Sequence, residues 1–118
     1  MNRPFTAMVM GLALALAGCG SQPPVPDWRV AARGAADRAL AAYLSGNTRV
    51  ATAEFERLLV DVSATGRPER VAEAELLRCA AQVASLVFGP CEGFARLRED
   101  ASDAQRAYAD YLSGAALT

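Results

Sequence analysis

The side chains that could carry out acid–base or nucleophilic chemistry are few, and their spacing keeps them apart. Glu73 with Glu75, and Glu99 with Asp100, are close acidic pairs, but residues one or two positions apart point to different sides of a helix. A general acid and a general base must instead converge on one substrate. The chain has no His that could activate a serine. We therefore predict solvated acidic pairs, no cofactor, and a protein that is not an enzyme.

One polar stripe crosses an otherwise apolar segment in the second half of the chain. Its residues recur at helical spacing: Glu75, Arg78, Gln82 and Ser85. A helix that is apolar around the rest of its circumference must be covered by other elements, so this segment is the predicted central helix. The stripe either faces solvent or lines a groove, and Arg78, Gln82 and Ser85 are the candidate binding residues. Arg96 and Arg98 could meet an anionic partner or stay solvated.

Helical periodicity covers the chain from residue 27 onward, and Gly and Pro fall between the periodic segments. This pattern predicts an all-α fold of four helices that form antiparallel hairpins. The predicted limits are Asp27, as N-cap, to Ser45; Asn47, as N-cap, to the break at Thr65; Pro68 to Phe88, before Gly89 and Pro90; and residues 91 to 113.

The fourth segment has an alternative interpretation, in which Ser102 breaks it and begins a fifth helix. Ser102 and Gln105 have the spacing of a capping box, in which each side chain bonds the other residue's backbone. The apolar steps from Phe94 to Leu112 are unbroken, however, so we expect one continuous helix.

The N-terminus has the three-part pattern of a secretory signal peptide. Arg3 supplies a positive charge, an apolar run extends from Phe5 to Ala17, and small residues follow it. The apolar run is shorter than the roughly 20 residues that a membrane-spanning helix needs. We therefore predict a cleaved signal peptide over residues 1–18 rather than a permanent membrane span.

The end of this segment, Leu16-Ala17-Gly18-Cys19, resembles the lipobox of bacterial lipoproteins. The resemblance implies that Cys19 carries a diacylglyceryl group and becomes the first residue of the mature protein. Two or three acyl chains hold a protein firmly on a membrane, whereas one chain does not. The residue after Cys19 is Gly20, and in Gram-negative lipoproteins an Asp there favours the inner membrane. The resemblance therefore implies a lipid anchor on the periplasmic face of the outer membrane.

Residues 19–26 are predicted to be a tether, and residues 27–118 a single helical domain. The tether contains three Pro among its last four residues, which favour an extended polyproline conformation of roughly 3 Å per residue. The formal net charge of the whole chain is -1, which gives no electrostatic reason to expect a nucleic-acid partner.

Once Cys19 is lipidated, Cys79 and Cys91 remain as an even pair in an oxidising compartment, and we predict a disulfide between them. A disulfide needs Cα atoms about 5.5 Å apart, so the third helix would have to stop near Ser85. Residues 86–88 would then cover the core as a loop. The alternative is two buried free thiols. A metal site is not expected, because two thiolates without His do not complete a zinc shell.

Ala41-Ala42-Tyr43-Leu44-Ser45-Gly46 returns as Ala109-Asp110-Tyr111-Leu112-Ser113-Gly114, an offset of 68 residues. This is twice the tetratricopeptide period of 34 residues. Ala39, Tyr43 and Gly46, followed by Ala51 and Phe55, also resemble that repeat. The resemblance implies helical hairpins that bind a protein partner in a groove.

Our first hypothesis for function is therefore a non-enzymatic, lipid-anchored scaffold that binds an unknown envelope protein. The alternative is a small periplasmic binder of an apolar or envelope-derived ligand, held in a pocket under the central helix. An apolar cavity of a few hundred Å³ would favour the ligand binder. A filled core with a polar concave face would favour the scaffold.

The lipobox interpretation predicts that Cys19→Ser abolishes incorporation of labelled palmitate and leaves an unprocessed precursor, because the acceptor sulfur is gone. The matched control is Cys91→Ser, which also removes one thiol but should still be labelled. Palmitate label on the Cys19→Ser protein would contradict the lipobox.

Overall fold

A computed structural model describes residues 23–115, which form an all-α domain without a strand among them. The predicted signal peptide 1–18, the lipidation site Cys19 and residues 20–22 and 116–118 lie outside the described residues. Residues 23–26 have no regular secondary structure, and Pro26 has the polyproline angles φ −58 and ψ 143. Within 23–115, no helix combines the length and the apolar character needed to cross a membrane.

The described residues contain five α-helices, which confirms the all-α prediction. They are α1 (Asp27–Leu44), α2 (Thr48–Ser63), α3 (Pro68–Ala84), the single turn α4 (Glu92–Ala95) and α5 (Asp103–Ser113), with a 3-10 turn at Arg98–Asp100 between the last two.

Short capped turns produce the first hairpin. Gly46 has φ 81, and the backbone N–H groups of Gly46 and Asn47 donate to the last free carbonyls of α1. The Asn47 side chain accepts from Val50 N, as predicted for the N-cap of α2. The prediction for the start of α1 was wrong by one residue, because Asp27 is the first helical residue rather than the cap. Its charge still lies at the positive end of the helix dipole.

Small side chains let α1 and α2 approach closely. Ala35 and Ala39 on α1 are fully buried, and they pack with Phe55 and Leu58 of α2 in the first hydrophobic cluster. An ion pair between Arg38 Nε and Glu54 Oε2, 3.0 Å apart, crosses the same pair of helices at the surface. The hairpin is therefore held by apolar burial, since an exposed ion pair adds little.

Helix α3 is the central element, as its apolar circumference predicted, because it contacts every other helix and the 3-10 turn. It begins at Pro68, whose missing N–H would be unpaired in the first turn of any helix. It contributes Ala74 to the first cluster and Ala72, Leu76 and Cys79 to a second one. Phe94, Ala101, Ala109 and Leu112 complete the second cluster.

Helix α3 ends at Ala84, four residues before the limit that its apolar pattern predicted. Leu86 follows in the left-handed conformation with φ 63. The N–H groups of Leu86 and Val87 donate to Val83 O and Gln82 O, both at 2.9 Å. This paired bonding is a common helix ending that usually places Gly at the left-handed position. A leucine there is strained, because its Cβ crowds the backbone.

The loop after α3 does not cover the core, so that prediction was wrong. Leu86 is 76% exposed, Val87 56% and Phe88 73%, so three consecutive apolar side chains face solvent. The reason is the early helix ending: the chain turns away from the bundle at Leu86 and returns only at Cys91.

The structure joins Cys79 and Cys91 in a disulfide with Cα atoms 5.5 Å apart. The early end of α3 makes this possible, as the geometric argument from the sequence required. Cys79 is buried in the second cluster, and Cys91 packs against it. The bond therefore fixes the beginning of α4 beside the C-terminal half of α3.

The prediction of one helix over residues 91–113 was wrong, and the alternative break at Ser102 is correct. Ser102 Oγ accepts from Gln105 N, and Gln105 Oε1 accepts from Ser102 N, both at 3.1 Å. Gln105 Nε2 also donates to Glu69 O at 2.9 Å, which ties α5 to the start of α3. The Arg98 side chain donates a hydrogen bond to Asp110 and forms an ion pair with it at 2.9 Å. This hydrogen bond holds the pKa of Asp110 below its ordinary value. Because of these contacts, α5 is a separate helix, and residues 91–113 do not continue as one straight helix.

We predict that reduction of the Cys79–Cys91 bond lowers the free energy of unfolding by about 2 to 3 kcal/mol, because the bond restricts the unfolded chain. Urea unfolding with and without reductant measures the change, and intact mass should rise by two hydrogens on reduction. A double variant, Cys79→Ser with Cys91→Ser, is the control and should not respond to reductant. Alkylation of both thiols in the folded, unreduced protein would contradict the bond.

Candidate functional site

Two grooves flank the central helix α3. The first is a polar groove of about 550 Å³ between α3 and the segment around α4. Helix α3 contributes Glu75, Arg78, Cys79 and Gln82, and the other wall is formed by Pro90, Glu92, Gly93 and Arg96. Two of the three candidate binding residues, Arg78 and Gln82, therefore lie in one groove, and the fourth member of their stripe, Glu75, lies with them.

The third candidate binding residue, Ser85, lies outside this groove. It caps the end of α3, where its N–H donates to Ala81 O and Gln82 O, and it is exposed. The prediction placed Ser85 on the polar stripe because it assumed that the helix continued to Phe88. Because the helix ends at Ala84, Ser85 no longer follows the groove wall.

Glu75 is buried, with 9% of its surface exposed, which overturns the prediction that both Glu73 and Glu75 are solvated. Glu73 is exposed, as expected. The Glu75 carboxylate forms no hydrogen bond or ion pair within residues 23–115. The prediction failed because residues 90–96 fold back over this part of α3, which helical periodicity does not reveal.

Gly93 makes room for this carboxylate. A Cβ built on Gly93 would lie 2.0 Å from Glu75 Oε2 and 2.5 Å from its Cδ, much closer than real atoms approach. Gly93 and Glu92 were not recognised as site residues from the sequence. The only sequence signal for them is the disulfide, because Cys91 bonded to Cys79 carries the following two residues toward Glu75.

The two guanidinium groups of the polar groove do not neutralise Glu75. The Arg78 guanidinium instead lies over the Phe55 ring, with its Cζ 5.6 Å from the ring centroid, and so helps to cover the first cluster. Arg96 is exposed and forms no ion pair with the acidic residues of the described chain. The groove is thus lined by two basic and two acidic side chains, none of which forms an ion pair with another.

The second groove is apolar, about 780 Å³ in volume, and lies between α1, α3 and α5. Its floor is the first hydrophobic cluster, including Leu58 and Val62. Its walls carry Ala36 from α1, Ala80 from α3 and Ala104 from α5, three small side chains that leave the space between the helices unfilled.

Basic and aromatic side chains surround one end of the apolar groove. The Trp28 ring has guanidinium groups on it from Arg29, at 5.5 Å, and from Arg70, at 5.8 Å. Arg33 lines the same groove. Arg70 Nη1 donates to Glu73 at 3.3 Å, but its Nε is buried and has no hydrogen-bond acceptor.

Comparison with protein-family models, curated proteins and solved structures gave no match to this chain. Within residues 23–115, no three His, Cys, Asp or Glu side chains are grouped in a way that could hold a metal ion. Function is therefore inferred from the geometry and chemistry of the two grooves.

Proposed function

We propose that this chain is a lipid-anchored envelope protein that binds an amphiphile, with an apolar chain and an anionic head, in the apolar groove. The observation that carries the proposal is the groove itself, whose volume of about 780 Å³ is typical of small-molecule sites. A core that filled the space under α3 would have favoured a protein scaffold instead.

The walls of the groove suit an acyl chain. Ala36, Ala80 and Ala104 present methyl groups on three sides, and Leu77 adds a larger apolar surface. Each methylene of a ligand that leaves water for such a site contributes about 0.8 kcal/mol. A long acyl chain therefore supplies affinity without any specific polar contact.

The charges at the groove favour an anionic head. Arg29 and Arg33 form no ion pair with the described acidic residues, whereas Arg70 pairs with Glu73, which lines the same groove. Arg29 and Arg33 therefore supply the positive charge that would attract a carboxylate or phosphate. Fatty acids and phospholipids combine this type of head with an acyl chain.

The proposed lipid anchor would place the domain where such ligands are found. A lipidated Cys19 and a tether of roughly 20 Å would keep the domain close to an outer-membrane surface, where amphiphiles are abundant. Trp28 and Arg29 begin α1 directly after the tether, so this end of the groove would be the one nearest to the membrane.

We predict that dodecanoate binds and shifts the fluorescence of Trp28, the single Trp of the chain, because it lines the groove. Ala104→Phe should weaken binding about tenfold or more, since a ring in the groove displaces at least two methylenes. The measurement is a fluorescence titration of residues 20–118, prepared without the lipid.

The matched control is Ala107→Phe, because Ala107 is exposed on the same helix and does not line the groove. It should leave the affinity unchanged. Dodecanol should bind more weakly than dodecanoate, and dodecylammonium more weakly still. Equal affinities for Ala104→Phe and Ala107→Phe, or for the three head groups, would overturn the assignment.

The scaffold for an envelope protein remains a second candidate, and the exposed loop Leu86-Val87-Phe88 favours it. Contiguous exposed apolar side chains often mark an interaction surface. The strained conformation of Leu86 is another feature that is typical of functional sites. The tetratricopeptide-like arrangement that suggested this function remains a prediction.

A photo-crosslinking residue in place of Phe88 tests the scaffold in whole cells. We expect one discrete crosslinked product at this position, because Phe88 is 73% exposed in the apolar loop. Val60 is the control position, since it is a similarly exposed apolar residue, at 68%, on the outer side of α2. The same products from both positions would contradict a specific partner at the loop.

A further inference from the structure

The Glu75 carboxylate is the most unusual group of the polar groove. It is nine-tenths buried and has no partner within the part of the chain that the structure describes. The Glu75 oxygens are not among the fully buried unpaired atoms, so a ligand in the groove can reach them. A ligand with a cationic nitrogen would give the carboxylate the partner that the described residues do not supply.

The other charges in the groove define what else the ligand must carry. Arg78 and Arg96 line the same groove as Glu75 and Glu92, so its two positive and two negative side chains balance. A groove with no net charge does not favour a simple anion or a simple cation. It favours a ligand that carries both charges, because each end then has a partner of opposite sign.

The guanidinium and carboxylate groups of the groove match the two charged ends of a ligand with an ammonium and a carboxylate. A guanidinium offers parallel N–H donors that match a carboxylate, whereas a carboxylate accepts from the N–H groups of an ammonium. Neither arginine is engaged with Glu75, since Arg78 lies over Phe55 and Arg96 is exposed. Arg96 is available to a ligand as it stands, and Arg78 would have to turn from the Phe55 ring toward the groove that it lines.

Gly93 and the disulfide maintain this arrangement. A Cβ at position 93 would collide with the Glu75 carboxylate, so any larger residue there would have to displace that side chain. The Cys79–Cys91 bond holds that backbone against α3. The groove wall beside the carboxylate is thus held in place, which reduces the entropy that binding would cost.

We infer that the polar groove binds a small zwitterion, an amino acid or a short peptide with free ends, whose ammonium pairs with Glu75 and whose carboxylate pairs with Arg78 and Arg96. This site is separate from the apolar groove of the proposed function, and neither depends on the other. A free amino acid and a peptide terminus share the required chemistry.

The test is calorimetric titration of the full mature chain, with its disulfide formed, using alanine, Ala-Ala, N-acetyl-Ala-Ala and Ala-Ala amide. We expect alanine or Ala-Ala to bind. Loss of the ammonium in the acetylated peptide, or of the carboxylate in the amide, should each weaken binding about tenfold or more. Binding of alanine alone would assign an amino-acid site, and binding of Ala-Ala alone a peptide-end site.

Two variants connect the binding to the carboxylate. Glu75→Gln removes its charge, and Gly93→Ala displaces it while keeping every charge, so each should weaken binding about tenfold or more. Glu56→Gln is the control, because Glu56 is exposed on α2 and lies outside the groove. Circular dichroism of each variant verifies that the helical fold is retained.

Thermal unfolding separates a ligand site from a structural role of Glu75. Without ligand, Glu75→Gln should keep or raise Tm, because the carboxylate forms no ion pair or hydrogen bond that the variant would lose. A fall in Tm of several degrees would identify Glu75 as a structural ion-pair partner and overturn the inference. No binding of alanine or Ala-Ala up to about 1 mM, the weak end of specific affinity, would also overturn it.

Discussion

The bond between Cys79 and Cys91 is the constraint on which the second half of the structure depends. It requires the chain to reverse within a separation of 12 residues, so α3 has to end early, and it ends at Ala84. Two consequences follow from this reversal. The apolar residues 86–88 form an exposed loop instead of another helical turn, and residues 91–96 lie along α3, where they bury Glu75 and form the outer wall of the polar groove.

The apolar groove has a different origin, because it results from the small side chains that allow the bundle to form. Ala35 and Ala39 let α1 approach α2 closely, but the alanines that line the groove on α1, α3 and α5 cannot fill the space between those three helices. Larger side chains at these positions would bury more apolar surface and remove the groove. Alanine therefore produces both the close packing of α1 against α2 and the open groove on another side of α1.

Several residues carry a local cost that the fold does not require. Leu86 is left-handed where Gly is usual, Glu75 is mostly buried although its carboxylate has no partner among the described residues, and Arg70 buries an Nε without an acceptor. Deviations of this kind concentrate where a protein binds something, because selection for binding tolerates a loss of stability. All three lie at a groove or at the exposed loop beside one. Because all three lie at or beside the grooves that flank α3, they support a binding function for those grooves.

The helix limits at Gly46, Asn47 and Pro68 could be predicted from the sequence, because a cap or a helix ending depends on residues within one turn. The capping box of Ser102 and Gln105 was also visible there, although the unbroken apolar steps from Phe94 to Leu112 favoured the wrong alternative. Arg78 and Gln82 were assigned to one stripe because helical spacing is local. The burial of Glu75, the exposure of residues 86–88 and the role of Gly93 were decided only by tertiary structure. Each depends on where residues 85–96 lie after the chain reverses. The cysteine pair predicted the bond that requires this reversal, but the path of these residues is set by packing between distant segments, which has no local sequence signal.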